Sequence, residues 1–172
     1  NILSYKGLVD RNHDVYIVLD QSFNFSSHIG IPVNGIIGYN FFKDNIVEVN
    51  YDKRKVFVYK DTKKMRKRKL KFETSPITIE RNKPYLMTTV AIGKEEVPSK
   101  LLIDIGNSDA LWLFENKEKK IELPENRFED YLGKGFSGEI HGFRAKVNSI
   151  QINSFKFVNP IVAFPDAISI KS

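Results

Sequence analysis

The sequence predicts an all-β fold of sandwich or barrel type, with one or two short helices. Three observations carry this. Short apolar or alternating runs rich in β-branched and aromatic residues recur along the chain. Turn-forming residues separate them at short intervals. Runs with helical periodicity are scarce.

Taken in order, residues 15–19 form a nearly continuous apolar run, Val-Tyr-Ile-Val-Leu. Residues 45–51 alternate apolar and polar, and 55–59 are β-branched and aromatic, so a hairpin turn is expected within 51–56. Further strands are predicted at 77–80, 85–92, 99–104, 110–114, 138–152, 155–158 and 161–164. Val147, Ile150 and Ile152, then Phe155 and Phe157, predict a hairpin turning at Asn153-Ser154. The best helix lies at 39–44, Tyr-Asn-Phe-Phe-Lys-Asp, directly after Gly35-Ile-Ile-Gly38. Residues 126–132 are read as a second short turn.

Hydrophobic residues make up 41% of the 172, which suits a globular chain. No apolar run approaches the ~18 residues needed to cross a bilayer as a helix. The chain starts with Asn, which points to a mature or excised piece; an upstream signal would make the intact protein exported or periplasmic. Cysteine is absent, so disulfides and thiolate chemistry are excluded. The three histidines, His13, His28 and His141, form no i, i+4 pair and no HExxH, which leaves a zinc hydrolase unsupported. No metal or other cofactor is expected.

The net charge of +6 is concentrated. Residues 60–71 hold eight bases and one acid, a local +7, so the rest of the chain sums to −1. The segment reads as a solvated linker held open by its own repulsion. No aromatic residues interleave the bases as a stacking platform requires, so no nucleic-acid partner is expected. Pro76 and the basic stretch before it divide the chain into 1–60, a linker at 61–75, and 76–172.

The chemistry concentrates at Leu101-Leu-Ile-Asp-Ile-Gly106. Three apolar residues bring a strand into a core, and an Asp follows at its end, where burying an ionised carboxylate is costly without partners. Gly106 permits a sharp turn, and Asn107 and Ser108 supply turn hydrogen bonds. From these residues alone such an Asp is either the cap of a plain β-turn or, at a strand-to-loop junction, a candidate for acid–base work. Asp109 is read as a surface or turn residue, Trp112 as core, and His141 as a solvent-facing loop residue.

Residues 101–113 resemble the hydrophobic-hydrophobic-Asp-Thr-Gly motif and following strand of the retropepsin-like and pepsin-like aspartic proteases, especially bacterial two-lobed ones. Gly35-Ile36-Ile37-Gly38 with Tyr39–Phe42, then Ile46–Asp52, resembles the motif that closes each lobe of that family. Residues 131–142 occupy the place of its flap-like hairpin, with Gly135-Phe136-Ser137-Gly138 at the tip. The resemblance covers most of the chain outside the linker and implies closed acid-protease barrels, here with incomplete lobes. In the family each lobe runs from Asp loop to closing motif, but here the closing motif comes first. The expectation is therefore a fragment: 1–60 as the C-terminal half of lobe one, and 76–172 as lobe two without its closing motif.

The resemblance implies an aspartic-type endopeptidase that hydrolyses peptide bonds with carboxylate-activated water. Asp104 is the one catalytic carboxylate present, and Ile105, Gly106, Asn107 and Ser108 support its loop. Gly35, Ile36, Ile37 and Gly38 brace the partner loop. The substrate is an extended peptide or protein, and open lobes imply that residues 35–44 dock beside the Asp104 loop, either within the chain or from a second copy in a homodimer of the fragment. The family has Thr or Ser where Ile105 stands, and Ile105 cannot make that residue's inter-lobe hydrogen bond. The alternative is a non-catalytic peptide-binding or protein-binding module of the same fold.

Overall fold

The computed structural model describes residues 3–5, 8–11, 14–19, 24–43, 45–59, 62–69, 72–135 and 138–168. Strand dominates and the helices are short, so the protein is all-β. The chain divides into two compact units, Asn1–Phe72 and Glu73–Ser172.

The first unit opens with a small hairpin, β1 (Leu3–Tyr5) against β2 (Leu8–Asp10). Helix α1 (Phe25–Ile29) is capped by the Asn24 side chain, which accepts from the Ser27 amide, and ends on Gly30 at φ 76°. Helix α2 (Tyr39–Phe42) starts at Gly38 and buries Phe41. It is followed by β3 (Ile46–Asn50) and β4 (Lys55–Tyr59), an antiparallel hairpin in the expected place. Its turn is shaped by an Asn50 side chain that accepts from the Lys53 amide at 2.8 Å and by Arg54 at φ 50°.

The second unit is built on a long central strand. β5 (Ile77–Glu80) and β6 (Lys83–Ile92) join through Arg81 and Asn82, both at positive φ, which gives the twist of a two-residue hairpin turn. β7 (Glu95–Leu102) returns along β6 after Gly93 at φ 60°. β8 (Arg127–Gly135) and β9 (Gly138–Lys146) form a long hairpin with a bulge between Tyr131 and Gly133. β10 (Ser149–Ile152) pairs with β6 and with β11 (Phe155–Val158), turning at Asn153-Ser154 as the residue pattern predicts. β12 (Ile161–Pro165) pairs with β9.

Alternation along β6 puts Thr88, Val90 and Ile92 on the buried face, matched across the ladder by Val97 and Ser99. Val90 and Val162 are fully buried, and the core adds Leu111, Leu113, Ile121, Ala145, Val147, Ile150 and Phe164. Burial of each Val, Leu, Ile or Phe side chain among them stabilises the fold by about 1.5–3 kcal/mol.

Several expectations are corrected. The sheets are open among the described residues, with no closed barrel: β11 and β7 edge one sheet and β8 edges the other. The segment expected as a strand at 110–114 makes a single parallel bridge, Trp112 to Ala163, so no continuous ladder joins the sheets. Residues 126–132 are not a helical turn, because most of them enter β8, where pairing with β9 satisfies their backbone groups. Residues 15–19 are exposed and in no strand, since no described strand lies alongside to share hydrogen bonds. Within the basic segment, Lys63–Lys69 is helix α3, whose Met65 amide donates to the Thr62 hydroxyl.

Gly142 on β9 is a point of close approach. A Cβ there would overlap the Phe164 carbonyl oxygen and lie 2.8 Å from the Pro165 Cα, so only glycine lets β12 sit at ladder distance. Gly142→Ala is expected to lower unfolding free energy by about 1–3 kcal/mol in urea titration. An unaltered midpoint would show that β12 yields freely.

Candidate active site

The Asp104 loop begins where β7 leaves its ladder. The Ile103 amide still donates to the Pro84 carbonyl at 2.9 Å, which pins the chain one residue before the carboxylate. The loop then closes on itself. Asp104 Oδ1 accepts from the Gly106 amide at 2.9 Å, and the Asp104 carbonyl accepts from the Asn107 amide at 3.4 Å. A Cβ on Gly106 would stand 3.2 Å from that same Oδ1, so glycine keeps the turn tight around the carboxylate. Asn107 accepts from the Asp109 amide at 2.9 Å through its side-chain oxygen, and so passes the turn on to the next residues.

Asp104, Gly106 and Ser108 are exposed, and Asn107 is half-buried. Ile105 is 54% exposed and stands outside the core cluster, so it does not back the loop by packing. Among the residues expected to form the flap, Gly135 and Gly138 close the β8–β9 ladder as its last pair. Phe136 and Ser137 lie outside the described residues. His141 is exposed on β9, with the Tyr131 ring 5.4 Å away and Glu139 at 3.6 Å. In the first unit, Gly35 is exposed, Ile36 is 64% and Ile37 59% exposed, and Gly38 provides the N-terminal turn of α2 through its carbonyl, which accepts from the Phe41 amide.

The residue pattern does not show the most developed polar cluster of the second unit. Asp109 is not a surface residue; its side chain is only 10% exposed. Its Oδ2 accepts from Trp112 Nε1 at 2.7 Å, and its Oδ1 accepts from Arg144 Nη1. The same guanidinium donates through Nε to Asp130 on β8. Both Asp109 oxygens therefore accept a hydrogen bond from elsewhere in the unit, and the side chain serves the structure. Trp112 is half-buried and serves as a hydrogen-bond donor as well as a packing group. Arg144 belongs to β9, 35 residues after Asp109, and no local pattern announces that meeting.

The electrostatics follow from these contacts. Hydrogen bonding to Asp109 raises the Arg144 pKa, burial opposes the rise, and Asp130 adds to it. The hydrogen bond from Arg144 holds the Asp130 carboxyl below its ordinary 3.8 against a desolvation effect in the other direction. A separate shallow hollow on the hairpin is lined by Glu129, Asp130, His141, Gly142, Phe143 and Asp166. Asp104 does not border it, so the hollow is not the site that the residue pattern points to. Among the described residues, no His, Asp or Glu group is arranged to hold a metal ion.

Comparison of the chain with family models, with curated proteins and with solved structures finds no match.

The Asp130 contact has a pH signature. Its folded pKa lies below 3.8, so its stabilising effect is whole above about that pH and is lost as pH falls through the lower folded value. Asp130→Asn should therefore melt below wild type near neutral pH, with the gap closing as pH drops beneath 3.8. Melting curves from about pH 6 to about pH 2.5 check this. A gap constant across that range would show that the charge of Asp130 contributes nothing.

Proposed function

We propose that this chain supplies one catalytic carboxylate, Asp104, to an aspartic-type peptidase of retropepsin-like architecture. The observation that carries the reading is the Asp104 loop itself. An Asp leaves a core strand, faces solvent, and has its carboxylate gripped by the amide of the glycine two residues on. The long β8–β9 hairpin follows in the same unit, where a flap belongs in that architecture. β8 is an end strand of its sheet among the described residues, which suits an extended peptide that adds as a strand.

In this mechanism one ionised carboxylate takes a proton from a water molecule as that water attacks the peptide carbonyl. A second, protonated carboxyl donates to the carbonyl oxygen. Two carboxyls facing each other share one proton, which sets the two roles apart. Asp104 has the exposure and the hydrogen-bonded loop for one role. Asp109 and Asp130 are both bound to Arg144, so neither is the second group. An extended peptide would be recognised by backbone pairing and cut by the carboxyl pair, with no cofactor.

A second reading has its own support. Ile105 brings no hydroxyl to the loop and is largely exposed, as in a domain that holds extended peptides without cutting them.

The natural full-length protein should cleave an unfolded protein at acidic pH, and an acid-protease inhibitor should block the reaction. Asp104→Asn should lower turnover by roughly 10²–10⁴-fold with an unchanged circular dichroism spectrum, because the amide keeps the shape but cannot take or share the proton. Wild-type turnover in that variant removes Asp104 from the chemistry. Peptide binding with no turnover in the wild type favours the binding module.

A further inference from the structure

We propose that Arg144 is a positioning residue that fastens the Asp104 loop to the β8–β9 hairpin, so that loop and hairpin hold one arrangement. The proposal rests on the reading of Asp104 as the site's carboxylate.

The connection can be followed atom by atom. Asp104 Oδ1 holds the Gly106 amide, and the Asp104 carbonyl holds the Asn107 amide. The Asn107 side chain holds the Asp109 amide at 2.9 Å. Asp109 then leaves the loop's own hydrogen bonds and joins Trp112 Nε1 and Arg144. Arg144 sits on β9, and its Nε reaches Asp130 on β8. A single planar cation thus joins three segments of chain. A guanidinium holds its donors in one rigid plane and so fixes the directions of both carboxylates; an ammonium can meet two carboxylates but its rotating donors fix neither direction.

The link also answers a chemical deficit. Ile105 offers no hydroxyl for bracing the loop, and its side chain is outside the core cluster. The brace is instead four residues along the chain, at Asp109, where the side chain is nine-tenths buried and hydrogen-bonded through both oxygens. The hairpin is tied near its base, and Gly135 and Gly138 form the last pair at the opposite end of the ladder.

The test is amide hydrogen exchange by NMR on the full chain. In Arg144→Met the Gly106 and Asp109 amides should exchange roughly tenfold faster, while those of β6 and β7 keep their rates. Arg144→Lys, which keeps the charge but not the fork, should fall between wild type and Arg144→Met. Unchanged rates at Gly106 and Asp109 overturn the proposal. So does a uniform rise that includes β6 and β7, since Arg144 would then be a general stabiliser. If Arg144→Met does not fold, Asp109→Asn is read by the same two criteria. In the natural full-length protein, Arg144→Lys should lower kcat several-fold with KM held within about twofold. Faster loop exchange together with a wild type that cleaves nothing keeps the fastening and removes the peptidase reading.

Discussion

A guanidinium with only 21% of its side chain exposed must be neutralised where it sits, and that requirement organises the second unit. Removing a cation from water costs several kcal/mol unless its partners are close and its donors are used. Arg144 meets the condition by drawing Asp109 from the loop after β7 and Asp130 from β8. Neither carboxylate is its sequence neighbour, so the ion cluster forms only once the hairpin and the loop have met. The contribution is one of arrangement more than of net stability. A shape-matched apolar cluster could stabilise the same ground equally well, but it would not dictate which segments meet.

The apolar core sets the frame in which that cluster can form. β6 is the strand on which it depends, because it pairs with β7 along one edge and with β5 and β10 along the other. Val90 lies at the centre of this ladder and is fully buried. The cover is uneven. Ile77 and Ile79 on β5, and Phe155 and Phe157 on β11, share the core side through their register with Leu86, Pro84, Ile152 and Ile150. Yet all four remain about half exposed. The pattern of alternation is satisfied at the centre of the sheet and left incomplete at its flanks. The Glu73 carboxylate, which accepts from the Ser154 amide at 3.2 Å, and Ser75, which accepts from Asn153, hold the β10–β11 turn in place at that flank.

How much of this was legible in the residues depends on the range of the interaction that decides each feature. The β3–β4 hairpin and the Asn153-Ser154 turn are local, since alternation and turn chemistry within a few residues specify them. The Asp104 loop is local for the same reason, and Gly106 sits where a two-residue turn around a carboxylate needs it. The start of β8 was not legible because Arg127–Tyr131 carries little alternation and takes its strand geometry from β9, whereas the hairpin over 131–142 was expected. The segment 15–19 shows the converse: strong strand propensity gives no ladder without a described partner. The need for glycine at 142 comes from the backbone of β12, more than twenty residues later in the chain. Arg144 and Asp109 were invisible for that same reason: a charge pair at long range leaves no trace in either residue's neighbourhood.

Three of the four aspartates of the second unit, Asp104, Asp109 and Asp130, end in three different states, and the difference follows from what each one touches. Asp109 is buried and saturated, with a guanidinium on one oxygen and an indole N–H on the other. Asp130 is partly exposed, and its proton affinity is lowered by the same cation. Asp104 is open to solvent and accepts a backbone amide within its own turn. Both Asp109 oxygens already serve Trp112 and Arg144, so Asp109 is taken up in fastening the loop. Asp104 has an oxygen available, and its position is set by its backbone. The lowered pKa of Asp130 matters at this point, because a pair of carboxyls sharing a proton works in acid, where ordinary carboxylate ion pairs begin to fail. A fastening whose exposed member resists protonation is one that persists into the pH range in which such a pair would operate.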